Sequence, residues 1–428
     1  MSTILYWIKR LLPASLLSRI RPPYHFLLSY LGSVIYGQPS RRLMVIAVTG
    51  TKGKSTVTEL ITAILEADGK KVASLSTIQF KIGSDVRRNL YKMTLPGRFF
   101  LQKFLREAAD AGCTHAVVEM TSEGAKQFRH RFVELDALVF TNLSPEHIES
   151  HGSFEKYKEA KLSIAAQLAH SSKQPRYIVA NTDNPHGIDF LNIPVEEKLP
   201  FGLSSLKLYT LHKDGISLIF QEGDEEITLR VPLVGLFNVY NVLAATTLTR
   251  ALGVSFPTIE QAMRTLAPIK GRVEHFFSPK SAEKHVTAIV DYAHTPDSLE
   301  QLYKAFKDVP KICILGNTGG GRDTWKRPEM AAIAERYCER IILTNEDPYD
   351  EDPRAIVEQM ANGISDQSKY EIIMDRRLAI ETAIKEAPEG SYVLITGKGT
   401  DPYIMGPHNT KEPWSDAQIV KEELAKLG

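Results

Sequence analysis

The sequence predicts an α/β protein with two successive sheet domains, the first holding a mostly parallel sheet and the second Rossmann-like. Three observations predict it. Short apolar, β-branched runs alternate with stretches of helical period over most of the chain. The first such run, over 43–49, ends in a glycine loop that opens a helix. After an interlude of short alternating segments, the strand–helix alternation resumes, as parallel sheets require. With 428 residues, 43% of them hydrophobic and 24% charged, the chain is long enough for two or three domains, each with its own core.

Residues 1–43 stand apart from the rest. They carry Lys9, Arg10, Arg19, Arg21, Arg41 and Arg42 and no acidic residue, among many Leu, Ile, Tyr and Trp. Pro13, Pro22 and Pro23 interrupt the apolar stretches, so none reaches the ~18 residues of a membrane span. No small-residue cleavage site follows a compact apolar core, which argues against a signal peptide. The segment reads either as a pair of short helices packed on the main body or as a basic amphipathic stretch. In the second case it lies on the anionic inner face of a membrane, with Trp7 at the interface.

Residues 44–268 form the expected central domain. The run at 43–49 is its first strand, and a helix over 55–68 closes at Gly69. A strand follows from Lys71, then a helix over 98–111 and strands over 116–119, 135–141 and 177–181. Between 206 and 234 the turns Lys213-Asp-Gly and Glu222-Gly-Asp punctuate antiparallel strands. Helices follow over 238–252 and on to 266. Near Ala267-Pro-Ile-Lys-Gly-Arg272 the chain crosses into the C-terminal domain, 269–428, where strands over 287–291, 311–315, 340–344 and 392–396 alternate with helices.

A net charge of +1 gives no indication of bulk nucleic-acid binding. Cys113, Cys313 and Cys338 form no C-x-x-C pair, which argues against a zinc ribbon and a disulfide framework and fits the cytoplasm. Each reads as a small buried hydrophobe.

The segment Ala47-Val-Thr-Gly50-Thr51-Lys52-Gly53-Lys54-Ser55-Thr56 carries the strongest chemical signal. Glycines between a strand and a helix let backbone N–H groups surround phosphate oxygens, and the helix N-terminus adds a favourable dipole. Lys54 would reach the β- and γ-phosphates and the Ser55 hydroxyl would ligate Mg²⁺. Val48 stands where the general motif has its first glycine, so a turn that only resembles a phosphate loop is the alternative. With the loop as a nucleotide site, the fold class becomes a central P-loop ATPase domain followed by a Rossmann-like C-terminal domain.

The shorter form Gly-Thr-x-Gly-Lys-[Ser/Thr] resembles that of the Mur ligases, and further matches follow in order. Val118-Glu119-Met-Thr121-Ser122-Glu is similar to a family strand end whose glutamate holds Mg²⁺. The stretch from Thr141 to Gly152, with His147, resembles T-N-L-x-x-D-H-L-D-x-H-G, where the histidine serves a second metal. Lys161 falls where the family has a carbamylated lysine. Asn241 matches an asparagine that meets adenine, Gly271-Arg272-Val-Glu opens the C-terminal domain, and Asp291-Tyr-Ala-His294-Thr-Pro-Asp resembles D-Y-A-H-T-P-D.

The resemblance implies an ATP-dependent ligase working through an acyl phosphate, with two Mg²⁺ ions. Ser55, Glu119, His147 and carbamylated Lys161 would hold the metals. Gly50 to Thr56, Asn241, Arg272 and Asp291 would hold ATP, and Lys54, Lys161, His147, Arg272 and His294 would serve catalysis. Closure of one domain on the other would assemble the site. Read without the resemblance, Lys161 is a surface lysine, His147 a satisfied polar side chain, Glu119 a strand-end acid, and Arg272, Asp291 and His294 ion-pair or capping residues.

Within the family the pattern is similar to MurE. Thr94-Leu-Pro96, Thr121 and Ser122 imply substrate contacts, as do Asp347, Tyr349, Lys398 and Asp401. Tyr349 stands where an arginine recognises the far carboxylate of diaminopimelate, and tyrosine cannot make that forked pair. Only about 43 residues precede the loop strand, too few for the family's uridine-nucleotide domain. The implied partners are a free amino acid and a muramyl-peptide acceptor or a lipid-linked cell-wall precursor. Folylpolyglutamate synthetase-like and MurT-like activities, and a non-catalytic nucleotide-binding scaffold at the envelope, are the alternatives.

Overall fold

Strands β1 (Met44–Thr49), β2 (Val72–Leu75), β3 (Gln79–Ile82), β4 (Asp85–Arg88), β5 (His115–Glu119), β6 (Ala137–Phe140), β7 (Tyr177–Asn181) and β8 (Glu197–Phe201) make one sheet. Their order is β4-β3-β2-β5-β1-β6-β7-β8. Every pairing from β2 through β8 is parallel, and only the β2-β3-β4 edge is antiparallel. The structure is a computed structural model and describes residues 14–97, 99–146, 148–321 and 323–428.

The central strand β1 reads MVIAVT with no polar alternation because both its faces are covered. Val45 and Ala47 pack with Leu101, Phe104 and Leu105 of the Phe100–Asp110 helix and with Ile164 and Leu168 of the Phe154–Ala169 helix. The sequence reading passes over β3 and β4, since β4 is Asp-Val-Arg-Arg and wholly exposed, leaving no buried face to create a period.

A three-stranded antiparallel sheet follows, β9 (Leu208–His212), β10 (Gly215–Glu222) and β11 (Glu225–Val231), in the order β11-β10-β9. The last large sheet holds β12 (Glu274–Phe277), β13 (Thr287–Val290), β14 (Lys311–Leu315), β15 (Arg340–Leu343), β16 (Tyr370–Ile372) and β17 (Tyr392–Ile395). Its order is β12-β13-β17-β14-β15-β16, parallel except at β12. A small hairpin, β18 (Tyr403–Met405) with β19 (Lys411–Pro413), completes the strands. By contacts, one unit comprises residues up to Glu146, His151–Ser205 and Tyr240–Ala262. The other comprises His147–Ser150, Leu206–Val239 and Met263–Gly428.

Ala14–Ile35 is one helix that runs through Pro22 and Pro23, each of which removes one N–H donor. One expectation needs correction: the cysteines are not all separate. Cys313 on β14 and Cys338, just after the Lys326–Tyr337 helix, form a disulfide with Cα atoms 6.0 Å apart. The crossover from β14 through that helix returns the chain to β15, beside β14, and so brings together residues 25 apart in sequence. Cys113 alone is free and buried. No helix among the described residues is long and apolar enough to cross a membrane.

Candidate active site

The loops at the carboxyl ends of the parallel strands carry most of the candidate residues, where open α/β sheets place their ligands. After β1 the chain turns through Gly50 (φ +149°) into Gly53 (φ +82°), the cap of the Lys54–Ala67 helix. A side chain at Gly50 would collide with the Thr141 hydroxyl, and one at Gly53 with the Asn241 amide oxygen. Asn142 grips the loop from beside β6: its carbonyl accepts from Thr51 N–H at 2.8 Å and its side-chain oxygen from Lys52 N–H at 2.9 Å. Lys54 Nζ donates to Thr51 O at 2.8 Å. Asn241, expected at the nucleotide base, thus lies against the phosphate loop itself.

Glu119 ends β5 and is 2% exposed. Its Oε2 accepts from Ser55 Oγ–H at 2.8 Å and from Thr77 N–H at 3.0 Å, and its Oε1 from Thr77 Oγ1–H at 3.1 Å. Thr77 in turn meets Thr94 Oγ1 at 2.7 Å. Ser55, Glu119 and Thr94, distant in sequence, therefore share one network joined by Thr77, which the sequence reading did not single out.

Lys161 is buried on the Phe154–Ala169 helix and donates to Gly50 O at 2.6 Å, 4.7 Å from the centre of the Tyr157 ring. Burial, then the neighbouring Lys54 charge, hold its pKa well below the usual lysine range, against the opposing pull of Glu146 and Glu119. A surface lysine is excluded at this position. Thr121 caps the short Ser122–Lys126 helix, and Ser122 meets His151 Nε2 at 3.2 Å. The expected metal residue His147 lies outside the described residues.

In the second unit, Asp291 follows β13 and accepts from Val273 N–H at 2.8 Å and Ala293 N–H at 2.7 Å. Burial raises its pKa, while Arg272 and these N–H groups oppose the rise. The Arg272 guanidinium sits 4.6 Å from the centre of the Tyr292 ring, and His294 Nδ1 meets Tyr292 O at 2.8 Å.

Lys398, with no exposed surface, bridges Asp347 Oδ1 at 2.8 Å, Tyr403 O at 2.6 Å and Asp401 at 3.5 Å. Its contacts are thus internal, tying the loop after β17 to the loop after β15. Glu346, 3% exposed, accepts from Thr318 Oγ1–H at 2.9 Å, and its second oxygen has no hydrogen-bond partner among the described residues. Tyr349 takes the left-handed conformation (φ +54°), with its N–H donating to Met405 O at 3.1 Å.

Comparison with known proteins gives a consistent answer. The Mur ligase middle domain matches residues 48–249, and the Mur ligase glutamate ligase domain matches residues 271–399. The chain is 36% identical over 390 residues to the UDP-N-acetylmuramoyl-L-alanyl-D-glutamate–2,6-diaminopimelate ligase of Geobacillus thermodenitrificans, covering 89% of this chain and 78% of that one. It is 34% identical over 424 residues to the UDP-N-acetylmuramyl-tripeptide synthetase of a Roseiflexus species, covering 94% and 82%. The chain belongs to the Mur ligase family. A solved structure of a 2,6-diaminopimelate ligase of this kind superposes with a TM-score of 0.60 at 28% identity, covering 89% of this chain and 78% of that one.

This Mur ligase is accordingly an ATP-dependent peptide ligase, with the P-loop and Rossmann-like α/β architecture expected. The family's ATP and Mg²⁺ fit the residues present. Ser55, Thr77 and Glu119 offer hard oxygen donors, which Mg²⁺ prefers. No group of three or more His, Cys, Asp or Glu converges among the described residues.

Arg376 also escaped the sequence reading. It is 2% exposed, makes a fork with Asp416 at 2.9 and 2.7 Å, and donates to Thr396 O at 2.8 Å and Asn345 O at 3.4 Å. It therefore holds both loops that carry Asp347, Lys398 and Asp401. No local pattern marks it, because its partners lie 20 to 40 residues away.

Proposed function

We propose that this ligase adds an amino acid to a muramyl-peptide acceptor of cell-wall synthesis. Residues 44–268 would serve as the ATP domain and 269–428 as the amino-acid domain, with peripheral membrane contact through residues 1–43. The observation that carries the reading is the Ser55–Thr77–Glu119 network beside a glycine loop on which the buried Lys161 closes.

In the first step an acceptor carboxylate oxygen bonds to the γ-phosphorus of ATP while the bond to the β-phosphate oxygen breaks, releasing ADP. The loop from Gly50 to Thr56 cradles the phosphates and Lys54 offsets their developing charge. Ser55 and Glu119, and for a second ion His147 and a carbamylated Lys161, would hold magnesium, which would supply charge neutralisation at the phosphates. Thr94, Thr121 and Ser122 orient the acceptor. In the second step the amine of the incoming amino acid bonds to the acyl carbon, phosphate leaves and the amine sheds a proton. Arg272 and His294 steady the charge released, and Asn241 and Asp291 hold the nucleotide.

An uncharged amine is the form of lysine that combines with carbon dioxide, and burial of Lys161 favours that form. The resulting carbamate is an anion with the reach of a long glutamate. The amino-acid pocket has a negative balance, with Glu346, Asp347 and Asp401 around Lys398, and it carries Tyr349 in place of a carboxylate-binding arginine. A diamino acid with an ammonium end suits it better than one ending in a carboxylate.

The test is phosphate release by the purified protein with muramyl-peptide acceptors and each amino acid, with product mass as the readout. Turnover should require both substrates. Lys161→Ala should lose about a hundredfold or more in kcat and recover part of it with added formate or acetate. Turnover independent of an amino acid would reject the ligase reading, and an active, unrescued Lys161→Ala would reject the carbamate.

A further inference from the structure

Thr77, which fixes both oxygens of Glu119, belongs to the turn over 76–79 that leads from β2 into β3. The turn closes on itself: Ser76 N–H donates to Gln79 O at 3.0 Å, and the N–H groups of Ile78 and Gln79 donate to Ser76 Oγ at 3.2 Å. One grip on it comes from the helix Lys54–Ala67. There Glu59, one turn beyond Ser55, accepts from Gln79 Nε2 at 2.9 Å and lies 3.3 Å from Ser76 Oγ.

A second grip comes from Asn89, which directly follows β4 and is 3% exposed. Its N–H donates to Ile78 O at 3.2 Å. Its side-chain amide gives both hydrogens to carbonyls of two different segments, Ser76 O at 3.1 Å and Met93 O at 3.0 Å. The side-chain oxygen accepts from Tyr91 N–H at 2.9 Å. The amide thus spans the bend over 89–93 and ties its far end to the turn that carries Thr77. Leu90 and Met93 are exposed by 50% and 49%, so burial of those side chains does not shape the bend. Lys92 within it takes the left-handed conformation (φ +54°), which residues with a Cβ seldom adopt. The bend delivers Thr94, 7% exposed, whose hydroxyl meets Thr77 Oγ1 at 2.7 Å.

We propose that Asn89 is a positioning residue of the reaction: by tying Met93 to Ser76 it holds Thr94 against Thr77, so that the acceptor-binding threonine and the Glu119 carboxylate are set in place as one unit. The two carbonyls it joins flank the two threonines directly, Ser76 before Thr77 and Met93 before Thr94. A displacement of either segment therefore moves a hydroxyl of the chain from Thr94 through Thr77 to Glu119. Reacting groups tolerate little misplacement of this kind. Glu59 backs the same turn from the helix that carries Ser55, whose hydroxyl also reaches Glu119. The acceptor's part in this rests on the proposed ligase reading; the hold on Glu119 does not.

The experiment compares Asn89→Ala, Thr94→Ala and the double variant in the full-length protein. Asn89→Ala should raise KM for the muramyl-peptide acceptor about tenfold and leave KM for the amino acid unchanged. A group that acts through Thr94 adds nothing once the Thr94 hydroxyl is gone, so the double variant should have the acceptor KM of the poorer single variant. Additive losses, or an equal rise in both KM values, would overturn the proposal. Should Asn89→Ala fail to fold, Asn89→Asp replaces it, since it keeps the oxygen that accepts from Tyr91 N–H and loses both donors. Calorimetry of magnesium with a non-hydrolysable ATP analogue needs no turnover. The Asn89 variant should bind the analogue about threefold or more weakly through its looser hold on Glu119, and binding equal to that of the wild type would overturn the proposal. If the wild type turns over no muramyl peptide, the ligase reading fails and the analogue measurement alone decides the role of Asn89.

Discussion

Under the proposed reading, Tyr349 stands where the family resemblance implies a carboxylate-binding arginine. A forked arginine pair with a carboxylate gives direction as well as charge, and a phenol offers one weaker bond. With Glu346, Asp347 and Asp401 close by, a substrate carboxylate also meets repulsion. Tyr349→Arg should therefore move selectivity toward diaminopimelate over lysine by about tenfold or more in kcat/KM, the range of one charge-assisted pair. Competition between the two amino acids measures it, and an unchanged ratio would remove Tyr349 from the recognition site. Thr77 makes a related point at the same scale. It carries no motif, yet its N–H and hydroxyl fix both oxygens of Glu119.

At the scale of elements, the loops after β15 and β17 depend on Arg376 and its partner Asp416, 40 residues away on the C-terminal helix Asp416–Ala425. Removing one member of a buried ion pair leaves an uncompensated charge, which costs about 3–5 kcal/mol. Arg376→Ala should thus lower stability by that order. Arg376→Lys keeps the charge and loses the fork that reaches Thr396 O and Asn345 O, so it separates stability from positioning. It should raise KM for the amino acid about tenfold while leaving KM for ATP unchanged, since the phosphate loop is built on other strands. Equal effects on both constants in steady-state assays would assign Arg376 a purely structural role.

For the whole molecule, the proposed phosphate loop is packed by segments that lie as far along the chain as Asn142 and Asn241, so ligand binding there would report on the fold of the first unit as a body. A ligand at a hundred times its Kd stabilises the state that binds it by about 2.7 kcal/mol. Magnesium with a non-hydrolysable ATP analogue should raise the thermal midpoint by roughly 5–10 °C. Chelating the metal with EDTA should reduce most of that gain, and Lys54→Ala should abolish it. A shift that is indifferent to EDTA would show that the metal is not part of the nucleotide complex.

The sequence by itself determined the elements whose signals are local. The buried run of β1, the glycine turn after it, the alternation over 287–396 and the motifs at Glu119, Lys161 and Asp291 are all short-range patterns, set by backbone conformation and by which faces are covered. Tertiary structure alone decided the features that depend on contacts between distant elements. Thr77 reaching Glu119 across 42 residues, Arg376 binding Asp416 and the Cys313–Cys338 disulfide are of this kind. A side chain's partner across a sheet or helix face is fixed by the path of the chain between them, and composition and period carry no record of that path.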